Sequence, residues 1–474
     1  MKKIIGFLLC ATLSFSMVAC SKPTGTTSTD SESGDSGDVA KYESFIRGSG
    51  LKDNAYSTSV ANGGVLKQLS AIPKYQDNGD RMFIYTFQEP RPQYKDLDEA
   101  CKNIAECNFN SCMTWGYKAE YTPLLEKYGV AVMPYIDGAN PQTLSEDLSP
   151  ENISDNIKGF YYKDEPSFEQ LGTIVQSNAV NHAKYYNDKL FFVNLHPYWE
   201  GGETADNSYH KGHTYDEYVA EYCGQVFSSI EQNRMISVDF YPLMQNNTQR
   251  NVWLYTYETL AKYAKECDAT FHFYVMATEH YGYRRLDMDN LRYMVNVGLT
   301  YGASAMSYFT YLSYEDQTAF EHGLVSPDGL TKYDSYYMAQ TMNAECLAWD
   351  HIFMNFKWQS TMFVEGKDER NLNQQFLKAQ NNVDNIEIIN SATATRDTIV
   401  GEFLGTNGEV GLMVTNFCDP VGKVTDKVAL NLKEANKAIL YYRGERSVVD
   451  IQNGNLELSI TPGDAIFVIP LEIA

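Results

Sequence analysis

The sequence predicts an α/β chain, a (β/α)8 TIM barrel followed by a C-terminal antiparallel β-sandwich. Three observations predict it. Eight apolar runs of strand length recur between residues 82 and 309, separated by segments of helical periodicity. Beyond residue 356 that periodicity stops, and closely spaced strands with hairpin turns replace it. At 474 residues and 43% apolar composition, the chain can bury the cores of two domains.

The order begins with an export signal. Lys2-Lys3 precedes an apolar run from Ile4 to Val18, then Ala19-Cys20. Met17-Val-Ala-Cys20 resembles a bacterial lipobox, which implies removal of residues 1–19 and lipidation of Cys20. Residues 20–44 are rich in Ser, Asp and Gly and read as a flexible tether. The protein is therefore expected to be exported and lipid-anchored to the cell envelope, on its surface or periplasmic side.

The barrel domain is assigned to residues 45–355. Its expected strands are Met82–Phe87, Asn110–Trp115, Ala131–Ile136, Ile157–Tyr162, Leu190–Leu195, Met235–Phe240, Phe271–Ala277 and Ala303–Phe309. Several lack polar alternation, as strands buried on both faces do. Between them, Tyr218, Val219, Tyr222 and Val226 share one helical face; Leu254, Tyr257, Leu260, Ala261 and Ala264 share another, as do Leu291, Met294 and Val295. A last helix spans about Tyr333 to Trp349. A doubly wound open sheet is the alternative, but the chain has no Gly-rich phosphate loop.

Residues 356–474 form the sandwich domain. Expected strands are Asn385–Ile389, Thr398–Leu404, Glu409–Asn416, Val428–Leu432, Ala438–Tyr442, Leu456–Ile460 and Ala465–Ile469, with hairpin signals at Thr406-Asn-Gly408 and Asn453-Gly454.

Net charge is −23, or −25 once Lys2 and Lys3 leave with the signal, which argues against nucleic acid and anionic lipid surfaces as partners. Tyrosine is abundant, 35 residues against 23 Phe and 5 Trp, and its flat face with a hydroxyl suits sugars. The seven cysteines from Cys101 to Cys418 are odd in number and lack C-x-x-C spacing, so they read as buried thiols. No metal-ligand spacing occurs, and no cofactor is expected.

In such a barrel, functional side chains project from the C-terminal strand ends. These ends supply Trp115, Asp137, Asp164, Glu165, His196, Trp199, Asp239, Tyr241, Glu279, His280 and Tyr311. Carboxylates and aromatics dominate, which is the inventory that glycoside cleavage needs. Pro166 cannot continue a buried ladder, so Asp164 and Glu165 must sit where strand four stops.

Here Gly159-Phe-Tyr-Tyr-Lys-Asp-Glu-Pro166 resembles the strand-four motif of the retaining TIM-barrel glycosidase clan, commonly Asn-Glu-Pro. The resemblance implies Glu165 as general acid/base and, in Tyr274-Val-Met-Ala-Thr-Glu279, Glu279 as the strand-seven nucleophile. It also implies Tyr241 beside that nucleophile. Asp164 stands where the clan usually has Asn, and a carboxylate cannot donate unless protonated. The expected activity is therefore hydrolysis of an oligo- or polysaccharide by Glu165 and Glu279. Asp164, Tyr241, His196, Trp115, Trp199, Asp239 and Tyr311 would bind substrate. A non-catalytic carbohydrate-binding lipoprotein is the alternative, and a metal-dependent hydrolase using Asp137, Asp164, Glu165 and Asp239 is a third.

Overall fold

The computed structural model describes residues 81–91, 95–199, 209–315, 320–368, 383–406 and 408–471. The signal segment, Cys20 and the tether lie outside the described residues.

Eight strands form a closed parallel barrel in chain order. They are β1 (Phe83–Phe87), β2 (Ser111–Trp115), β3 (Ala131–Tyr135), β4 (Gly159–Asp164), β5 (Leu190–Leu195), β6 (Met235–Val238), β7 (Thr270–Met276) and β8 (Ala303–Phe309). β8 closes on β1, with Ala305 opposite Phe83. Their apolar side chains are buried inside the barrel or beneath the helices, so two-sided burial gives the runs their continuous apolar character. The faces predicted for the helices Tyr215–Phe227, Trp253–Glu266 and Met288–Thr300 are buried. Thr214 and Glu217 form a reciprocal capping box that starts the first of these. The last helix runs Asp334–Asn355, six residues longer at its C-terminus than its periodicity suggests.

The second region begins where that helix ends. A six-stranded antiparallel sheet has the order β15-β14-β17-β12-β11-β9, and a three-stranded sheet the order β10-β13-β16. Their strands are β9 (Phe356–Val364), β10 (Ile389–Ala394), β11 (Thr398–Gly405), β12 (Val410–Asn416), β13 (Asp426–Leu432), β14 (Lys437–Tyr442), β15 (Glu445–Asp450), β16 (Asn455–Ile460) and β17 (Ala465–Leu471).

Three details differ from the sequence reading. Residues 385–388 lie outside any strand, 387–388 forming a turn, and β10 starts only at Ile389. β9 and β15 went unread, the first because no breaker separates it from the preceding helix, the second because it is a polar, exposed edge. Asn453-Gly454 does form a left-handed turn, with φ of 53° and 77°. It joins strands of two different sheets, however, so it is not a hairpin.

The six-stranded sheet is a shared layer. Ile399, Phe403, Met413, Ile439, Phe467 and Ile469 face the barrel helices, while Val400, Leu412, Val414, Ala438, Ile466 and Val468 face the three-stranded sheet. Each fully buried side chain of this size contributes about 1.5–3 kcal/mol. Buried ion pairs cross the same junction. Arg284 grips Asp419 at 2.7 and 2.9 Å, and Arg292 pairs with Glu345 and lies 3.6 Å from Asp464.

Candidate active site

The C-terminal strand ends lie together at one face of the barrel. Asp164 closes β4, Glu165 follows, and Pro166 stops the ladder. Ser167 then starts the next helix, its N–H donating to Gln170 Oε1 at 2.8 Å. A strand-to-helix turn this short forces Glu165 into the left-handed region, φ 40°, a strained setting for a non-glycine residue. Three contacts hold it there. Glu165 N–H donates to Asn194 O at 2.9 Å, and the Tyr218 hydroxyl donates to Pro166 O at 2.6 Å. That same hydroxyl accepts from His196 N–H at 3.2 Å.

Three carboxyl groups at this face act on one another, Asp164, Glu165 and Asp239. Asp164 is reached by water yet walled by protein on most sides, so lost hydration pushes its pKa up from the ordinary value. Opposing that, its Oδ1 accepts from Tyr161 OH at 2.6 Å and from Asn194 Nδ2 at 3.1 Å. Burial, then the neighbouring charge of Asp164, pushes Glu165 up to about 8. Asp239, just past β6, is raised well above the usual range by burial first and then by Glu165 and Asp164. One of its oxygens, Oδ1, is buried without a hydrogen-bond partner. Like charges acting on one another resist ionising together; hydrogen bonds from Tyr161 and Asn194 favour the charged form of Asp164, while Glu165 has no such donor among the described residues and is the group pushed up to about 8.

Around this cluster lies an aromatic wall. Trp115 is 47% exposed and meets Tyr135 edge-on at 4.9 Å, and Tyr135 meets Tyr161 at 4.7 Å. Glu89, buried beneath, accepts from Trp115 N–H at 2.8 Å, and its burial raises its own pKa. Tyr281, after β7, is 65% exposed. Tyr241 is buried, its ring against His280, Tyr283 and Phe309, with Asp239 and Asp164 among the charges that act on its hydroxyl.

The other expected site residues fare differently. Glu279 sits past the end of β7, and Gln245 donates to its Oε1. His196 is buried, stacked on Tyr209 at 3.7 Å, and burial lowers its pKa to about 3, so it is neutral. Trp199 carries the Arg250 guanidinium over its ring at 3.9 Å and stacks on Phe240, so its ring is engaged within the protein. Tyr311 is corrected. It is fully buried, edge-on to Phe109, and is a core residue rather than a substrate contact. Asp137 is paired with Lys163 at 2.9 Å, which holds its carboxyl below the usual range. Among the described residues no group of three or more His, Cys, Asp or Glu is arranged to hold a metal ion.

Asn194 and Tyr161 were not assigned to the site from sequence. Asn194 carried a signal, as the one polar residue in the apolar run Leu-Phe-Phe-Val-Asn-Leu.

No family model matches the chain, and no curated protein matches it. Solved structures share the architecture. One is a glycoside hydrolase family 30 subfamily 8 xylanase from Clostridium acetobutylicum, 10% identical, covering 82% of this chain and 96% of that one, with a TM-score of 0.38. A β-galactosidase from Marinomonas ef1 is 9% identical over 58% of this chain and 60% of that one, TM-score 0.39. A truncated 3-deoxy-D-arabino-heptulosonate 7-phosphate synthase from Thermotoga maritima is 11% identical over 60% and 92%, TM-score 0.33. Likeness at this level, shared with an enzyme of different chemistry, carries no argument about activity.

Proposed function

We propose that the chain is a glycoside hydrolase cleaving a glycosidic bond of an oligo- or polysaccharide with two carboxyl groups. The observation that carries this is Glu165, a carboxyl at the barrel mouth that keeps its proton to a pH of about 8. A general acid working near neutral pH needs such a shift. In the proposed mechanism Glu165 protonates the leaving oxygen while Glu279 attacks the anomeric carbon. Water then resolves the glycosyl-enzyme, with Glu165 now acting as base, and the configuration is retained. Exposed Trp115 and Tyr281 offer faces for pyranose rings.

A second assignment has its own observation. Asp164 accepts from Tyr161 and Asn194, bonds that favour its charged form, and Asp239 is raised well above the usual range with one oxygen unpartnered. That pair could supply nucleophile and acid without Glu279.

Assaying the purified protein on aryl glycosides and on plant and host polysaccharides tests both. Glu165→Gln and Glu279→Gln should each abolish hydrolysis with folding intact under the first assignment. Loss in Asp164→Asn and Asp239→Asn, with Glu279→Gln active, selects the second. Glycan binding by the parent protein with no product would leave a binding lipoprotein instead. The envelope anchor belongs to the same proposal: Cys20→Ala should move the protein from the membrane fraction to the soluble one.

A further inference from the structure

The barrel interior holds a line of polar side chains that the proposed chemistry leaves unused. Asn194, Ser237, His272 and Ser307 stand one per strand on β5, β6, β7 and β8, each at most 1% exposed. Asn194 and Ser237 are register partners, and so are Ser237 and His272. Ser237 Oγ lies 2.9 Å from Asn194 Oδ1 and 2.8 Å from His272 Nδ1. His272 Nε2 lies 2.7 Å from Ser307 Oγ. The line ends on the carboxyl cluster, where Asn194 Nδ2 meets Asp164 Oδ1 and the same amide bonds Asp239.

The hydrogens in this line follow by elimination. Asp164 Oδ1 already accepts from Tyr161 OH, so Asn194 must present its NH2 to it. Asn194 Oδ1 then faces Ser237, whose single hydrogen is donated to it. Ser237 can only accept from His272, which must carry its proton on Nδ1. Burial holds the His272 pKa down to about 3, so the ring is neutral and Nε2 is an acceptor for the Ser307 hydroxyl. Met113 Sδ, 3.6 Å from Ser307 Oγ, is a weaker acceptor for that hydrogen.

We infer that Ser307, His272, Ser237 and Asn194 form a positioning relay that locks the Asn194 amide with its N–H groups toward the Asp164 and Asp239 carboxyls. The relay's importance to catalysis rests on the proposed function, but its existence does not. Other groups act on the Asp164 carboxyl. Tyr161, Lys163 and Glu165 come from its own strand segment, Tyr135 and Asp137 from β3, Asp239 and Tyr241 from β6, Tyr274 from β7, and Tyr314 from beyond β8. Of these, Tyr274 also meets His272 edge-on at 5.2 Å and hydrogen-bonds Ser307, whereas Ser237 bonds Asn194 and His272, so a Ser237 variant cuts the relay without removing a hydrogen bond to any of these other groups.

The test needs no substrate. Nitrogen NMR of the parent protein, with His272 assigned by its loss in His272→Gln, should show a proton on Nδ1 and a bare Nε2. A proton on Nε2, or on both nitrogens, overturns the relay. Carbon NMR titration of the side-chain carboxyls gives the second readout. In Ser237→Ala the amide is free to turn, so Asp164 should titrate about one pH unit higher and Glu165 lower. Ser237→Thr, which keeps the hydroxyl, should restore both. Unchanged titration in a folded Ser237→Ala overturns the proposal. If that variant does not fold, the His272 tautomer still decides. Absence of hydrolysis with these NMR results intact would count against the proposed function alone.

Discussion

Glu165 is a carboxyl that its surroundings keep from ionising, and the sign of that effect is testable. Its folded-state pKa of about 8 lies above the ordinary 4.5, so the folded chain binds the proton more tightly than the unfolded one. The stabilisation is complete below pH 4.5 and is lost as pH rises through 8. Glu165→Gln keeps a neutral group of the same size. It should match the parent at pH 4 and exceed it at pH 9 by about 4–5 kcal/mol, read by urea unfolding at both values. A difference independent of pH would remove the claim. For activity, kcat/KM should fall above a pH of about 8 as the acid loses its proton. At this scale the sequence was legible where chemistry breaks a pattern. Pro166 after an aromatic strand marked Asp164 and Glu165. Polar residues inside apolar strands, Asn194, Ser237, His272 and Ser307, also broke the pattern. Tyr311 misled because a tyrosine near a strand end has the same composition whether it faces ligand or core, and only packing against Phe109 separates the two.

At the scale of elements, the strand-to-helix turn after β4 depends on a neighbouring helix. The Tyr218 hydroxyl both donates to Pro166 O and accepts from His196 N–H, so one atom ties the turn to the end of β5. Tyr218→Phe removes both bonds and leaves the Pro166 carbonyl and the His196 amide short of partners. We expect a stability loss of about 1–3 kcal/mol. With the left-handed Glu165 less constrained, kcat should fall about tenfold with KM little changed. Parent-like kcat in a folded variant would show that the turn needs no such brace. Barrel strands were readable to within two residues because two-sided burial writes continuous apolar runs. β15 was not, since an exposed edge is held by backbone pairing to β14 and its side chains need no pattern. Asn453-Gly454 shows the complementary limit. Local turn chemistry fixes φ, but whether the next strand pairs with the last one is decided by the sheet it joins.

At the scale of the molecule, the six-stranded sheet belongs to both cores, so barrel and sandwich should not melt apart. Strand β11 approaches the barrel so closely that a Cβ on Gly401 would lie 2.2 Å from Thr300 O. A Cβ on Gly463 would likewise lie 2.2 Å from Asp289 O, at the other end of the same barrel helix. No side chain fits either position without the sheet backing away from helix Met288–Thr300. That helix is also where Arg292 meets Glu345 and Asp464, and where Asn296 donates to Gly463 O at 2.9 Å. A small displacement there loosens a buried ion-pair network as well as apolar packing. Gly401→Ala should therefore cost about 2–4 kcal/mol, more than an overpacked methyl in a yielding core. The loss should appear in one calorimetric transition, with the barrel's near-ultraviolet signal and the sandwich's exchange protection lost at the same temperature. Two separated transitions in the parent or in Gly401→Ala would mean that the shared sheet does not couple the two cores.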